Sequence, residues 1–253
     1  MTDKPSIALV TGGSRGLGRS TVEALARCGI TSIFTYNTNK SEADKVVDLI
    51  NERGGTAVAL QLDTGDTGSF DAFVNGVRQV LRSLGAEKFD FLVSNAGNSS
   101  GMSFLSAQED EFDALYRIHL KGVFFLTQKL APLMKDGGRI VNISSALTRV
   151  VMANRAAYAT MKAAVEVMTK YMAFELGERG IAVNCVAPGA IATDFSGGVV
   201  RDNPEVAKAI AAMTALGRPG QPDDIGPMIA SLLSEDHRWV NAQRIEVSGG
   251  MRI

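Results

Sequence analysis

Tyr158 and Lys162 stand four residues apart in a stretch rich in Ala and Met, so on a helix they share one face. A free phenol, with a pKa of about 10, exchanges its proton poorly near neutrality. A neighbouring ammonium stabilises the phenolate and lowers that value. The pair can therefore deliver a proton to an oxygen that is gaining negative charge, as a carbonyl oxygen does when its carbon is attacked. Two hydroxyls upstream, Ser144 and Ser145, are candidates to hold that oxygen.

A second cluster reads Thr11-Gly12-Gly13-Ser14-Arg15-Gly16-Leu17-Gly18. It follows the apolar run Ile7–Val10 and opens a helical pattern from about Leu17 to Cys28, ended by Gly29. In that context a glycine-rich turn is a phosphate-site candidate. Gly12 permits a sharp turn, Gly16 a close backbone approach to a pyrophosphate, and Gly18 tight helix–sheet packing. The helix start adds N–H donors and the positive end of a dipole. The spacing is GxxxGxG, one residue off the usual dinucleotide GxGxxG. It is not a Walker A loop, because no Gly-Lys-Ser/Thr follows.

Strand patterns recur every 25–35 residues, at Ser32–Tyr36, Ala57–Leu62, Phe89–Ser94, Arg139–Ser144, Ala182–Ala187 and Arg244–Val247. Helical patterns lie between them: Ser41 capping a helix to about Arg53, Ser69–Leu84, a long helix from Glu109 to Ala131, Arg155–Arg179, and Pro222–Leu233. Alternating strands and helices predict βαβ units and a parallel sheet. The expected fold class is α/β, with residues 1–253 forming a single doubly wound domain. Asn95-Ala96-Gly97, Ser145, Tyr158, Lys162 and Pro188-Gly189 all follow strand ends, where open α/β sheets bind ligands.

Composition narrows the function. With 253 residues, 26 basic against 27 acidic groups and 45% hydrophobic content, the chain has no global field to recruit nucleic acid or an anionic membrane. Disorder is excluded at this apolar content. Cys28, Cys185, His119 and His237 have no metal-ligand spacing, so no metal is expected. No apolar stretch approaches a membrane span and the N-terminus shows no secretory signal, which predicts a soluble, cytoplasmic protein.

The ordered set TGGSRGLG at 11–18, NAG at 95–97, Ser145, YxxxK at 158–162, PG at 188–189 and GRPGQPDDI at 217–225 resembles the short-chain dehydrogenase/reductase family over essentially the whole chain, in particular its 3-oxoacyl-(acyl-carrier-protein) reductase-like members. The resemblance implies a Rossmann-type domain with a mostly parallel, seven-stranded sheet. It implies hydride transfer between a nicotinamide and a carbonyl carbon, with Tyr158 as proton donor and Lys162 also holding the nicotinamide ribose. The family's serine stands 13 residues before its tyrosine, which selects Ser145. His119 falls where many relatives carry the fourth catalytic residue, an Asn, and Ser248 where they often carry Asp.

By the same carry-over, Gly12, Ser14, Arg15, Gly16, Leu17, Gly18, Asp63, Asn95, Ala96, Gly97, Pro188, Gly189, Ile191 and Thr193 line the cofactor. Asp63 would touch the adenine, and Ile191 and Thr193 the nicotinamide amide. The second strand ends Tyr36-Asn37-Thr38 without the acid that would bind a ribose 2′-hydroxyl and repel a 2′-phosphate. Arg15, Asn37 and Thr38, with Lys40 nearby, predict NADP(H).

On the substrate side, 194–213 is expected to be a mobile lid. Ala146, Leu147, Val151, Met152 and Gly189 are expected pocket walls, and Arg149 and Arg155 candidates for an anionic carrier tail. The expected reaction is reversible, NADPH-dependent reduction of a 3-oxoacyl-thioester-like or other small ketone. The alternatives are a broad secondary-alcohol dehydrogenase on xenobiotic or sugar-like carbonyls, and a non-catalytic NADP(H)-binding regulator. Apolar residues beyond one sheet face's need on helices 109–131 and 155–179, whose family counterparts pair, predict a homotetramer.

Overall fold

Runs of Ile, Val, Leu and Phe without polar alternation need cover on both faces. In the computed structural model, which describes residues 5–253, they receive it. The strands are β1 (Ile7–Val10), β2 (Thr31–Tyr36), β3 (Ala57–Gln61), β4 (Phe89–Ser94), β5 (Met134–Ile143), β6 (Ala182–Pro188) and β7 (Arg244–Val247). Every residue of β1, β2 and β6 is buried. The helices are α1 (Gly16–Arg27), α2 (Lys40–Glu52), α3 (Phe70–Ser83), α4 (Glu109–Tyr116), α5 (Val123–Leu130), α6 (Ala156–Glu175), α7 (Val199–Asp202), α8 (Pro204–Ala212) and α9 (Pro222–Leu232).

The seven strands form one sheet in the order β3-β2-β1-β4-β5-β6-β7, with every pairing parallel. One core packs α1, α2 and α9 against one face through Val22, Leu25, Val46, Ile50, Ile225 and Ile229. The other packs α3, α5 and α6 through Phe70, Val77, Leu81, Leu126, Leu130 and Ala173. Chain order reverses between β1 and β4. That reversal leaves a crevice beyond the carboxyl ends of the strands.

Four elements differ from the sequence expectation. The helix expected over 109–131 is interrupted by a π-helical turn, Arg117–Gly122, which carries His119. Such widened turns add a residue without breaking the helix and re-aim a side chain. Asn39, not Ser41, caps α2, because its Oδ1 accepts from the Glu42 N–H at 3.1 Å. β5 begins at Met134, before Arg139: the register shifts between the pairs Phe89–Met134 and Phe91–Arg139, and Gly137 (φ +77°) lies in the gap. Finally, the stretch 194–213, where no helix is read from the sequence, holds α7 and α8, the latter capped by Asn203 with Pro204 at its first position.

α9 crosses α1 at close range, with Gly226 against Ser20. A methyl at Gly226 would lie 2.5 Å from the Ser20 carbonyl carbon, whereas one at Gly76 in α3 meets nothing within 4 Å. Gly226→Ala should therefore pry the two helices apart at a cost of about 1–3 kcal/mol. Gly76→Ala should stabilise by about 0.5–1 kcal/mol, because it removes backbone freedom from the unfolded chain. Calorimetry on both variants checks the contrast; a Gly226→Ala melting temperature at or above that of the unaltered protein would refute the tight crossing.

Candidate active site

The glycine turn leaves β1 at the reversal point. Gly12 N–H donates to Thr35 Oγ1 (3.0 Å) and Gly13 N–H to Thr35 O (2.8 Å), so the turn is hung from β2. Its two tightest positions admit no side chain: a Cβ at Gly13 would lie 2.6 Å from Phe34 Cβ, and one at Gly18 would overlap Gly12 O. α1 then starts at Gly16, and Arg15 at its N-cap makes no side-chain cap bond. The first-turn N–H groups of a helix have no intrahelical partner. The turn is thus a backbone cradle in which Gly13 and Gly18 admit no side chain. Leu17 packs its side chain against the core beside α1.

Asn95 braces this cradle from β4. Its Nδ2 donates to Thr11 O (2.9 Å) and Gly12 O (3.1 Å), while Thr11 Oγ1 accepts from the N–H groups of Asn95 (2.9 Å) and Ala96 (3.0 Å). The Asn95 amide is therefore spent on the turn itself. Asp63 Oδ1 accepts from the Gly65 N–H at 2.8 Å, shaping the turn after β3. Thr193, buried, takes the Phe195 N–H on its Oγ1 (3.1 Å) and lies against Gly16. Pro188 ends β6, Gly189 N–H donates to Val247 O (3.0 Å), and Ile191 bridges to Gly220.

At the end of β2, Asn37 and Thr38 are exposed, as is Arg15. Arg15 forms no ion pair among the described residues, whereas Lys40 is taken by Asp44 at 2.7 Å.

Beyond β5, Ser145, Tyr158 and Lys162 converge. All three are buried. Burial pushes the Tyr158 phenol up from its ordinary value, opposed by hydrogen bonding with Ser145 and by the charge of Arg155. The sequence expectation that Lys162 draws the phenol down is not met in this geometry. The Lys162 ammonium donates instead to Ile143 O at 2.8 Å and lies 5.7 Å from the centre of the Tyr158 ring. Burial brings Lys162 itself down to about 8. Ser144 faces away from this group: its Oγ donates to Glu166 Oε1 (2.7 Å) and to Lys162 O (3.3 Å).

His119 reaches the same place from the π-helical turn. Its ring meets Tyr158 edge-on, with centroids 5.2 Å apart. Nε2 lies 2.8 Å from Asn98 O and 3.0 Å from Asn98 Oδ1. A carbonyl oxygen can only accept, so Nε2 carries the proton and Nδ1 presents a lone pair. Burial, reinforced by the Lys162 charge, pushes His119 down to about 3, so it is neutral at any ordinary pH. A Cβ at Gly97 would lie 2.7 Å from its Cε1, so Gly97 must be bare for the ring to fit.

A cleft of about 470 Å³ opens beside this group. It is lined by Arg15, Asn98, Ser99, Arg155, Phe195 and Ser196 among others. The Ser99 and Ser196 hydroxyls meet across it at 2.8 Å. Arg155 holds its near edge by donating to Ser100 O (3.0 Å). The walls expected from sequence at 146–152 and Gly189 do not line this cleft. Ala146 is buried, Met152 packs with Val150, Ile210 and Met251, and Val151 is 84% exposed. Arg149 is not available to a substrate either: it pairs with Glu246 and donates to Met251 O and Arg252 O.

Sequence reading missed Glu166 and Arg244. They meet at 2.8 Å directly behind the Ser144–Thr148 segment. A signal was present for Glu166, which stands one further helical repeat beyond Tyr158 and Lys162.

A model of the enoyl-(acyl carrier protein) reductase family matches residues 12–252. The 3-oxoacyl-(acyl-carrier-protein) reductase FabG of Staphylococcus aureus is 36% identical over 246 residues, covering 96% of this chain and 97% of that protein. Versicolorin reductase of Emericella nidulans is 33% identical over 254 residues, 96% of this chain and 94% of its own. Among solved structures, the promiscuous reductase LugOII, which catalyses keto-reduction at C1 in lugdunomycin biosynthesis, matches with a TM-score of 0.93 at 36% identity over 98% of both chains. The angucycline C-6 ketoreductase LanV with bound NADP matches at 0.92 and 34% identity, over 98% of this chain and 95% of that one. Likeness of this extent, on a sheet that brings Ser145, Tyr158 and Lys162 to one crevice, places the chain in the short-chain dehydrogenase/reductase family of oxidoreductases.

Proposed function

We propose that the protein is an NADPH-dependent reductase of ketones, working reversibly on a small carbonyl substrate in the cleft beside Tyr158. The observation that carries this reading is the buried convergence of Ser145, Tyr158 and Lys162 at the carboxyl edge of the sheet, within reach of a side-chain-free cradle. The cradle residues fit a dinucleotide pyrophosphate, and Arg15 fits its 2′-phosphate. When bound, the dinucleotide supplies the hydride. Ser145 Oγ orients the substrate carbonyl. Tyr158, held protonated by burial, gives its phenolic proton to the oxygen as charge develops there. Lys162 holds the ribose side of the site and carries positive charge next to the phenol ring.

Incubation with NADPH and either acetoacetyl-CoA or 2-tetralone tests the reading, since the two ketones separate a thioester preference from a ring-ketone preference. NADPH consumption is expected with at least one of them. Tyr158→Phe should lower the rate by about 10²–10⁴-fold while leaving NADPH binding in place. Arg15→Ala should reduce kcat/KM for NADPH by roughly 10–100-fold and barely change that for NADH, because it removes a charge-assisted phosphate contact. NADPH binding without turnover of any ketone would favour a regulator. Equal efficiency with NADH and NADPH in the unaltered protein would sink the cofactor assignment.

The pH dependence follows from Lys162. It loses its proton above a pH of about 8, so kcat/KM for reduction should be flat below that value and fall above it. Stability runs the other way. Lys162 binds its proton less tightly folded than unfolded, so from about 8 to its ordinary 10.5 the unfolded chain holds more protons and folding gains with rising pH. The high-pH limb should therefore appear in rate without loss of fold from this residue. Lys162→Met should be slow at every pH and lack the limb; a Lys162→Met profile that keeps it would remove Lys162 from the assignment.

The protein is further proposed to be a homotetramer. α6 exposes Val167, Tyr171 and Phe174 (85%), and the neighbouring helices expose Phe112, Tyr116, Phe124 and Phe125. Apolar patches of this kind mark association surfaces. Light scattering at micromolar concentration should give a mass above the 26.8 kDa chain, and Phe174→Glu should lower it. A monomeric mass for the unaltered protein contradicts the proposal.

A further inference from the structure

Tyr158, Lys162 and Glu166 recur every four residues along α6 and so form one stripe. The first two members meet the reacting groups. The third lies below them, with its side chain 17% exposed, against the segment that carries Ser145. One oxygen of Glu166, Oε1, accepts from Ser144 Oγ at 2.7 Å, from Thr148 Oγ1 at 2.8 Å and from Arg244 Nε at 2.8 Å. Arg244 reaches on from β7 to Thr148 Oγ1 (3.1 Å) and to Ser145 O itself (3.4 Å). Its other partner is Glu246 Oε2 at 3.0 Å.

We propose that Glu166, charge-paired with Arg244, is a positioning residue that sets Ser145 against Tyr158. Ser145 heads a short 3-10 turn, Ala146–Thr148, and its Oγ accepts only the Leu147 N–H among the hydrogen bonds of that turn. The hydrogen bonds within so short a turn are local, and apart from the bond between Ser145 and Tyr158 its ties to α6 run through its two ends. Ser144 precedes the serine and Thr148 closes the turn, and both hydroxyls are drawn to the same carboxylate oxygen. That carboxylate sits on the helix that also carries Tyr158, at a fixed two helical turns, so the distance from serine to tyrosine becomes a property of one rigid element. Arg244 stabilises the carboxylate and holds the serine's own carbonyl. Ile143 O, bonded to Lys162 Nζ, continues the same stitching on the upstream side.

A purely structural ion pair would also join α6 to β7, so the test must separate orientation from folding. The inference rests on the ketone-reductase reading, and the assay uses whichever of acetoacetyl-CoA and 2-tetralone the unaltered protein reduces faster. Glu166→Leu removes all three acceptor contacts. It should lower kcat on the order of 10²-fold, the effect of a displacement near 1 Å at a reacting group. NADPH dissociation should stay within about twofold of the unaltered value, because the cradle is untouched. Glu166→Gln keeps an oxygen acceptor for Ser144 and Thr148 and should recover most of the lost rate. Ser144→Ala, a small change that spares the ion pair, should lower kcat in the same direction, so the test survives if Glu166→Leu does not fold. Rates within about threefold of the unaltered protein in every soluble variant would overturn the proposal. So would a loss of NADPH affinity in step with kcat, which marks general loosening. If the unaltered protein binds NADPH but reduces neither ketone, the underlying reading fails instead, and this inference falls with it.

Discussion

The side chains of Thr11 and Asn95 hold together the two halves of the sheet at the one place where chain order reverses. β1 and β4 are neighbours in the sheet but lie far apart in the chain, and beyond their last paired residues the backbone must diverge to open a crevice. Thr11 Oγ1 accepts from two successive N–H groups just past β4, and the Asn95 amide returns two bonds to the carbonyls of Thr11 and Gly12. Backbone groups that the end of the ladder would leave unpaired are satisfied by side chains instead, which keeps the crevice open without unmet polar cost. The cradle, the Gly97–Asn98 turn and, through Asn98, His119 all take their places from this brace.

The active group is assembled from ionisable side chains in a dry setting, and burial acts on each in the direction that removes charge. The Tyr158 phenol goes up; Lys162 and His119 go down. The outcome is a protonated acid, a weakly held ammonium and a neutral imidazole side by side. The same low dielectric that disfavours their charges makes each remaining hydrogen bond count for more. Among the described residues, His119 Nδ1 has no hydrogen-bond partner, nor has Asn142 Oδ1. The chain's net charge of -1 puts no broad positive field behind this end of the sheet.

Much of this was legible in the sequence because it is encoded locally. Continuous apolar runs marked the strands, and the Tyr158–Lys162 spacing works on any helix. The glycines at 12, 16 and 18 mark a turn after a strand, and at Gly18 the close packing expected of it is present. What escaped is encoded at a distance. Arg149 looked free for an anionic substrate, yet its partner Glu246 lies 97 residues on. Asn95 comes near Thr11 only in three dimensions, so the bonds of its amide to the Thr11 and Gly12 carbonyls leave no mark in the sequence. The π-helical turn left no mark in periodicity, since one added residue shifts the pattern by about 100°, within the scatter of a short amphipathic run. Lys40 was nominated by proximity in sequence, but Asp44 one turn along α2 already holds it.

The C-terminal residues extend the logic of long-range anchoring to the substrate side. Gly249 O and Gly250 O accept from the N–H groups of Leu216 and Ala215, and Arg252 N–H donates to Met213 O, so the segment that follows α8 is fixed at its base. The same stretch is tied to the serine turn through Arg149, which donates to Met251 O and Arg252 O. Ser248 closes the loop by donating to Glu246 Oε1 at 2.7 Å. The opposite end of 194–213 is held differently. Ser196 has φ +57°, followed by Gly197 and Gly198 in the same left-handed region, and the hydroxyl contact of Ser196 with Ser99 is its tie across the cleft. A non-glycine residue in that conformation is strained, of order 1–3 kcal/mol, and is kept there only by its surroundings. The wall over the cleft is therefore anchored by backbone bonds at its α8 end, and at the other by side-chain contacts, Ser196 with Ser99, Phe195 with Tyr158 and Arg201 with Asp194.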